Sequence, residues 1–264
     1  MRLSTLFLAA SSMLATWSAQ AAPPAGYTLV WRDEFNQKSW SDDQIQFGTK
    51  WTDHLYYRGG NGPLDMPVPW ALAIESGKLV MTATAVGNGK YYGATLSSVN
   101  ENVQGYCRKY GYWEMRAKPA KGYNLLTSMY LVSQPHMVRV ASPPDPFEID
   151  AIEYNGGSPT VAATTVHWYL GGNHYYNEGG DKTDTGLDLS TSYHTYGMEW
   201  TPTVIRFFFD GRLTKQVATP PDGHVPMGTH VVLYLSSWGG GATAATPRTA
   251  KAYVDYVRIY APPG

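Results

Sequence analysis

Cysteine is almost missing: a single residue, Cys107, in a chain of 264. No disulfide can form within the chain, which excludes a small cross-linked scaffold and leaves the fold to a buried core. Cys107 itself reads as a small buried hydrophobe. An excess of one charge sign is also missing, with 20 Lys and Arg against 21 Asp and Glu and a formal net charge of -1. So balanced a chain offers no field for a polyanion, and no nucleic-acid partner is expected. Beyond the N-terminus there is no apolar run long enough to span a bilayer. Helical periodicity is scarce as well.

The N-terminus is the exception. Arg2 precedes an apolar run from Leu3, and Ala19-Gln20-Ala21 is a small-x-small cleavage pattern. Residues 1–21 are expected to be a secretory signal peptide, leaving 22–264 as the working domain, secreted to the periplasm or the medium. The alternative, an N-terminal anchor, is disfavoured because Ser and Thr interrupt a run that is short for a span. A lone cysteine suits bacterial export.

What is abundant is aromatic and polar at once: 20 Tyr and 9 Trp against 7 Phe. Such rings suit partly wet faces and neutral ring-bearing ligands such as carbohydrates. They equally suit any β-rich protein, and composition does not separate the two.

After the leader the chain breaks into short runs bounded by Gly, Pro, Asn or Asp, among them GYWEMRAKP (111–119), AATTVHWYL (162–170) and THVVLYLSS (229–237). Several alternate with period two, at the spacing of a sandwich or barrel. The expectation is one all-β domain, a sandwich of two packed antiparallel sheets.

One run is chemically odd. FEIDAIEYNGG, from Phe147, sets Glu148, Asp150 and Glu153 in an otherwise apolar strand. Glu148 and Asp150 share a face, but simple alternation sends Glu153 into the apolar layer. A one-residue bulge near Ala151-Ile152 restores it, and bulges are common beside active sites. The two Glu positions are then about 13 Å apart along the backbone. Inward-leaning side chains permit the separation of about 5 Å that retaining glycosidases use. One Glu would act ionised and the other protonated, with Asp150 between them holding those states apart. A calcium site and an ordinary surface strand are the rival readings; calcium loops are usually turn-like and rich in Asp, Asn and Gly.

FEIDAIEYNGG resembles the E-[ILV]-D-x-x-E signature of glycoside hydrolase family 16, the laminarinase, lichenase, agarase and carrageenase group. LVWRDEF (29–35), YGYWEMRAKPAKG (110–122), YHTYGMEWTPTVIRFFFDGRL (193–213) and YVDYVRIY (253–260) resemble other strands of that family, in its order. The resemblance implies a concanavalin-like β-jelly roll with a glycan cleft on its concave sheet. It assigns Glu148 as nucleophile, Asp150 as assisting carboxylate and Glu153 as general acid/base.

Further roles follow from the same resemblance. Alternation puts Tyr112, Glu114 and Arg116 on one face, and the family's equivalents of Glu114 and Arg116 face the cleft; the alternative is a surface ion pair. His167 resembles a histidine beside the catalytic centre, although an isolated histidine is more often structural. Trp238 matches a cleft aromatic, or else a core anchor, and Asn61 is a candidate sugar-binding residue. Asp255 resembles a ligand of a structural calcium site on the convex face, while the chemistry requires no cofactor. Two departures, Tyr130 near a usual tryptophan and PDPF (144–147) before the nucleophile, bear on substrate choice.

The implied activity is a secreted retaining endo-β-glycanase acting as a monomer, with a polysaccharide as partner. β-1,3- or mixed β-1,3/1,4-glucan is favoured by His167-Trp168 and the bulged motif. Hydrolysis of agarose, another galactan or an exopolysaccharide is an alternative, as is transglycosylation by the same residues. A non-catalytic glycan-binding jelly roll would be expected to lack one of the glutamates, and both are present.

Overall fold

Runs rich in Val, Ile, Tyr and Trp become strands here because β-branched and aromatic side chains fit a half-buried pleat. The computed structural model describes residues 23–36, 50–51, 65–67, 69–99, 105–133, 147–177, 182–221, 226–235 and 241–264. The expected signal peptide, 1–21, lies outside them. In chain order the strands are β1 (Thr28–Asp33), β2 (Asp65–Pro67), β3 (Leu72–Ile74), β4 (Leu79–Gly87), β5 (Lys90–Ser97), β6 (Cys107–Arg108), β7 (Gly111–Lys118), β8 (Leu125–Ser133) and β9 (Phe147–Asn155). They continue with β10 (Val161–Leu170), β11 (Asn173–Tyr176), β12 (Lys182–Asp184), β13 (His194–Trp200), β14 (Val204–Phe209), β15 (Arg212–Ala218), β16 (Met227–Leu235) and β17 (Thr249–Ala261).

The strands form two layers. In the first, the order β15-β14-β13-β7-β17 is antiparallel throughout, and the far edge of β17 pairs with β1 and with β4. In the second, β10 is flanked by β11 and β12 on one edge and followed by β9, β8 and β16 on the other. β16 then pairs with β5 and β6. β5 belongs to both layers, since Tyr91 and Tyr92 pair with β4 while residues Ala94 to Ser97 pair with β16. The all-β jelly roll expected from the sequence is therefore present, with hydrogen bonding continuous through β5.

The core lies between the layers. Trp113 and Met115 of β7, Tyr196, Met198 and Trp200 of β13, and Val254, Val257 and Ile259 of β17 meet Met129 and Leu131 of β8, Phe147 and Ile149 of β9, and Val231 of β16. Trp113 reaches across and donates its indole N–H to Thr229 Oγ1 of β16 at 3.1 Å, so this buried polar edge is satisfied. Burial of these rings on both inner faces is what fixes the register of each strand, since a one-residue slip would turn the apolar set outward. Cys107, expected to be buried, is half-buried instead, at the edge of the second layer. Among the described residues no helix is long and apolar enough to cross a membrane.

Candidate active site

On β9, Phe147, Ile149, Ala151, Ile152 and Tyr154 all belong to the core. Two consecutive residues, Ala151 and Ile152, thus point inward. The pairing explains it: Met129 of β8 pairs with Ile152 and Tyr130 with Asp150, which leaves Ala151 with no opposite residue. On the other flank Ala163 pairs with Glu153 and Thr165 with Asp150, so Thr164 alone spans the same step. This is a β-bulge at the Ala151-Ile152 position inferred from the sequence, and it keeps Glu153 on the outer face with Glu148 and Asp150.

Two side chains tie down the disturbed ladder. Ser128 Oγ donates to the Ile152 carbonyl at 2.7 Å, and Lys215 Nζ, reaching over from β15, donates to the Thr164 carbonyl at 2.8 Å.

The surroundings set the charges. Asp150 is 2% exposed, while Glu148 and Glu153 are half-buried. Glu148 and Asp150 share a hydrogen bond. Burial pushes the Asp150 carboxyl up to about 7, against the opposing pull of that bond and of the Lys215 ammonium. Burial also lifts Glu148 well above the ordinary carboxylate range; the Asp150 charge adds to this and His167 opposes it. Two buried carboxyls in contact hold one proton between them near neutrality, because both cannot ionise cheaply side by side.

His167 Nε2 stands 3.3 Å from Asp150 Oδ2. Burial lowers the imidazole pKa from 6.5, with the Glu148 charge opposing, so the ring is neutral at pH 7. Glu148, Asp150 and His167 are also the one group among the described residues whose ligand atoms, all within 4.8 Å of one another, could hold a metal ion. The Glu148–Asp150 hydrogen bond and the pairing of His167 with Glu148 across the β9–β10 ladder already bring these groups together.

The same face carries residues the sequence reading missed. Tyr130, noted there only as a departure, pairs with Asp150 across the β8–β9 ladder. Its ring stacks on His230 of β16 at 5.1 Å and 13°. With Val99, Val132 and Val232 it forms a small apolar cluster separate from the main core. Alternation in THVVLYL, which aligns His230 with Val232 and Tyr234, is the signal that would have found His230.

Glu114 and Arg116 do not join this site. They do share a face with Tyr112, as alternation required, but β7 belongs to the other layer. Because Trp113, Met115 and Ala117 fill the core, the polar face of β7 is turned to the outside of the first layer, away from β9. Glu114, 0% exposed, accepts hydrogen bonds from Tyr256 at 2.7 Å and Tyr112 at 3.2 Å. Arg116 pairs with Asp255 and not with Glu114, so the alternative of a surface ion pair between Glu114 and Arg116 is not formed either. Asn61 and Trp238 lie outside the described residues.

The expected calcium ligand, Asp255, sits where β17 bulges between Val254 and Tyr256. One of its oxygens meets Lys78 Nζ at 2.5 Å and the other meets Arg116. These groups line a polar hollow of about 620 Å³ on the first layer's outer face. Of the two other carboxylates there, Glu34 is held by both Arg258 Nε and Nη2, at 2.8 and 2.9 Å, and Asp210 meets His194 Nδ1 and accepts from the Thr195 N–H, both at 2.8 Å. Asp255 and Glu34, already paired with ammonium and guanidinium, and Asp210, already hydrogen-bonded, do not fit the free oxygen set that calcium takes.

Comparison with known proteins bears on the whole architecture. Residues 70–258 match the family described as glycosyl hydrolases family 16. A beta-glucanase of Acetivibrio thermocellus is 29% identical over 199 residues, covering 73% of this chain and 53% of the relative. The chain therefore spans about half the length of that relative. A beta-glucanase of Rhodothermus marinus is 27% identical over 270 residues, covering 94% of this chain and 90% of its own. In fold, the laminarinase catalytic domain of Thermotoga maritima superposes with a TM-score of 0.71 at 22% identity, over 89% of this chain and 98% of that domain. A match of family 16 across most of the sequence, with the bulged carboxylate strand inside it, is decisive: the chain belongs to glycosyl hydrolases family 16.

Proposed function

We propose that the protein is an exported, retaining endo-β-glucanase that cuts β-1,3- or mixed β-1,3/1,4-glucan. The observation that carries this reading is the bulge at Ala151, which sets Glu148 and Glu153 on one face with Asp150 between them. The names of the relatives, beta-glucanases and laminarinases, supply the substrate class. Arg2, the apolar run after it and Ala19-Gln20-Ala21 support export.

The steps follow from the positions. The Glu148 carboxylate attacks the anomeric carbon while the Glu153 carboxyl gives its proton to the departing glycosidic oxygen, which leaves with the bonding pair. Glu153, now ionised, takes a proton from water, whose oxygen attacks the same carbon and releases Glu148. Two inversions retain the configuration. Asp150, hydrogen-bonded to Glu148, shares one proton with it, so the pair carries a single negative charge near neutrality and Asp150 takes up the proton as the Glu148 carboxylate attacks.

The test is cleavage of laminarin, mixed-linkage β-glucan and agarose by the wild type, Glu148→Ala and Glu153→Ala, with product anomers read by NMR. Short β-configured oligosaccharides from a glucan, absent with both variants, are expected. Cleavage that survives both substitutions, or α-configured first products, would overturn the reading.

A further inference from the structure

Beyond Glu148, Asp150 and His167, the chain of contacts runs one residue further. β10 and β11 form a hairpin closed by Gly171 and Gly172, both at positive φ (58° and 78°), the two-residue turn that matches strand twist. It places His174 opposite Tyr169 and diagonal to His167, on the same face. His174 Nε2 lies 3.0 Å from His167 Nδ1, and the two rings stack at 5.1 Å and 25°. The other side of His174 is covered by Tyr169 at 4.5 Å.

A neutral imidazole has one N–H and one lone pair, and whichever bond one nitrogen makes decides the role of the other. Asp150 Oδ2 is a buried oxygen with no hydrogen-bond partner, and His167 Nε2, 3.3 Å away, is the ring nitrogen that faces it. Only the Nε2–H tautomer of His167 offers that oxygen a donor; the other tautomer aims a lone pair at a carboxylate. In the favourable tautomer Nδ1 carries the lone pair and needs a donor, and His174 Nε2 is in place to be it.

We propose that His174 is a positioning residue that holds His167 in its Nε2–H tautomer, so that the nucleophile's partner, Asp150, always receives an N–H. Every donor in the chain then points inward, from His174 to His167 to Asp150, and the chain opens to solvent at the exposed His174. The groups facing His167 are Glu148 and Asp150 from β9, His174 and Tyr176 from β11, and Tyr169 beyond it on β10. The consequence for catalysis rests on the glycanase reading above; the tautomer itself does not.

Histidine-labelled wild type, His174→Ala and His174→Asn are compared by ¹H–¹⁵N long-range NMR and by pH–rate profiles on the glucan cleaved. The wild type shows His167 protonated on Nε2. His174→Ala shows a tautomer mixture, a kcat lower by about five- to tenfold, as for one lost hydrogen bond, an unchanged KM, and the limb set by the carboxyl pair moved to higher pH. His174→Asn, whose amide can still donate, restores all three. An unchanged His167 tautomer in His174→Ala, or an asparagine variant as defective as the alanine one, overturns the proposal. If the wild type cleaves no glucan, the glycanase reading falls while the NMR comparison still decides the tautomer.

Discussion

Ser128 donates its hydroxyl to the carbonyl of Ile152 at 2.7 Å, at the step where β9 gains a residue relative to β8. That bond braces the backbone beside the extra residue, Ala151. Ser128→Ala removes it, at a cost of about 0.5–1.5 kcal/mol. The expected result is a lower Tm and a kcat reduced about tenfold with little change in KM. Deleting Ala151 is the sharper test. Regular alternation then turns Glu153 toward the core, and glucan cleavage should fall by at least about 10², the lower end of what a general acid contributes. Steady-state kinetics of protein whose circular dichroism is unchanged would check both.

The carboxyl pair makes stability depend on pH in a direction opposite to that of ordinary surface carboxylates. Asp150 is raised from 3.8 to about 7 in the folded protein, so between those values the native state holds a proton that the unfolded chain has lost. Its contribution is complete below about 4 and is lost as pH rises through about 7. Asp150→Asn removes this dependence. The variant should therefore melt higher than wild type at pH 8, by on the order of 2–4 °C per kcal/mol, with the difference shrinking toward pH 4. Scanning calorimetry across that range tests the sign. A gain that is the same at both ends would contradict it.

Lys78 and Arg116 supply the positive charge that a bound cation would otherwise bring to Asp255. Chelator treatment is accordingly expected to leave the Tm of the purified protein unchanged, and added calcium should not raise it. Asp255→Ala, which leaves two cations facing each other on a half-exposed surface, should lower Tm modestly, by the equivalent of about 1 kcal/mol. A loss of several degrees on chelation, reversed by calcium, would show that a dication displaces the lysine.

Gly197 is where the first layer tolerates no side chain. A Cβ there would sit 2.2 Å from the Tyr112 hydroxyl, which donates to Glu114. Gly197→Ala must move the Tyr112 ring and loosen a bond to a buried carboxylate, so destabilisation of about 1–3 kcal/mol is expected. Because this face is turned away from β9, kcat per folded molecule should not change. Urea unfolding and active-site kinetics measure the two effects separately.

The bulge was legible from sequence because three carboxylates at 148, 150 and 153 cannot share a face by alternation, and Ala151-Ile152 is an apolar pair where alternation wants one residue. The placement of Glu114 and Arg116 was not. Their alternation with Trp113 and Met115 reads identically whichever layer β7 joins. Only its long-range pairing with β13 and β17 decides that its polar face lies on the outside of the first layer, away from β9. His174 stood between these cases. The Gly171-Gly172 turn fixes the hairpin register, and with it the approach of His174 to His167, yet nothing in the hairpin alone says that His167 meets a carboxylate.

β17 has a consequence for how the chain reaches this structure. It runs for 13 residues between β7 on one edge and both β1 and β4 on the other, and its partners lie from 135 positions (Tyr253 to Lys118) to 233 positions (Ala261 to Thr28) earlier in the sequence. Until residues 249–261 are available, β1 and β4 have no bridge to β7, and the first layer has a gap at its centre. Such a chain of high contact order folds slowly and late, after synthesis has passed this strand.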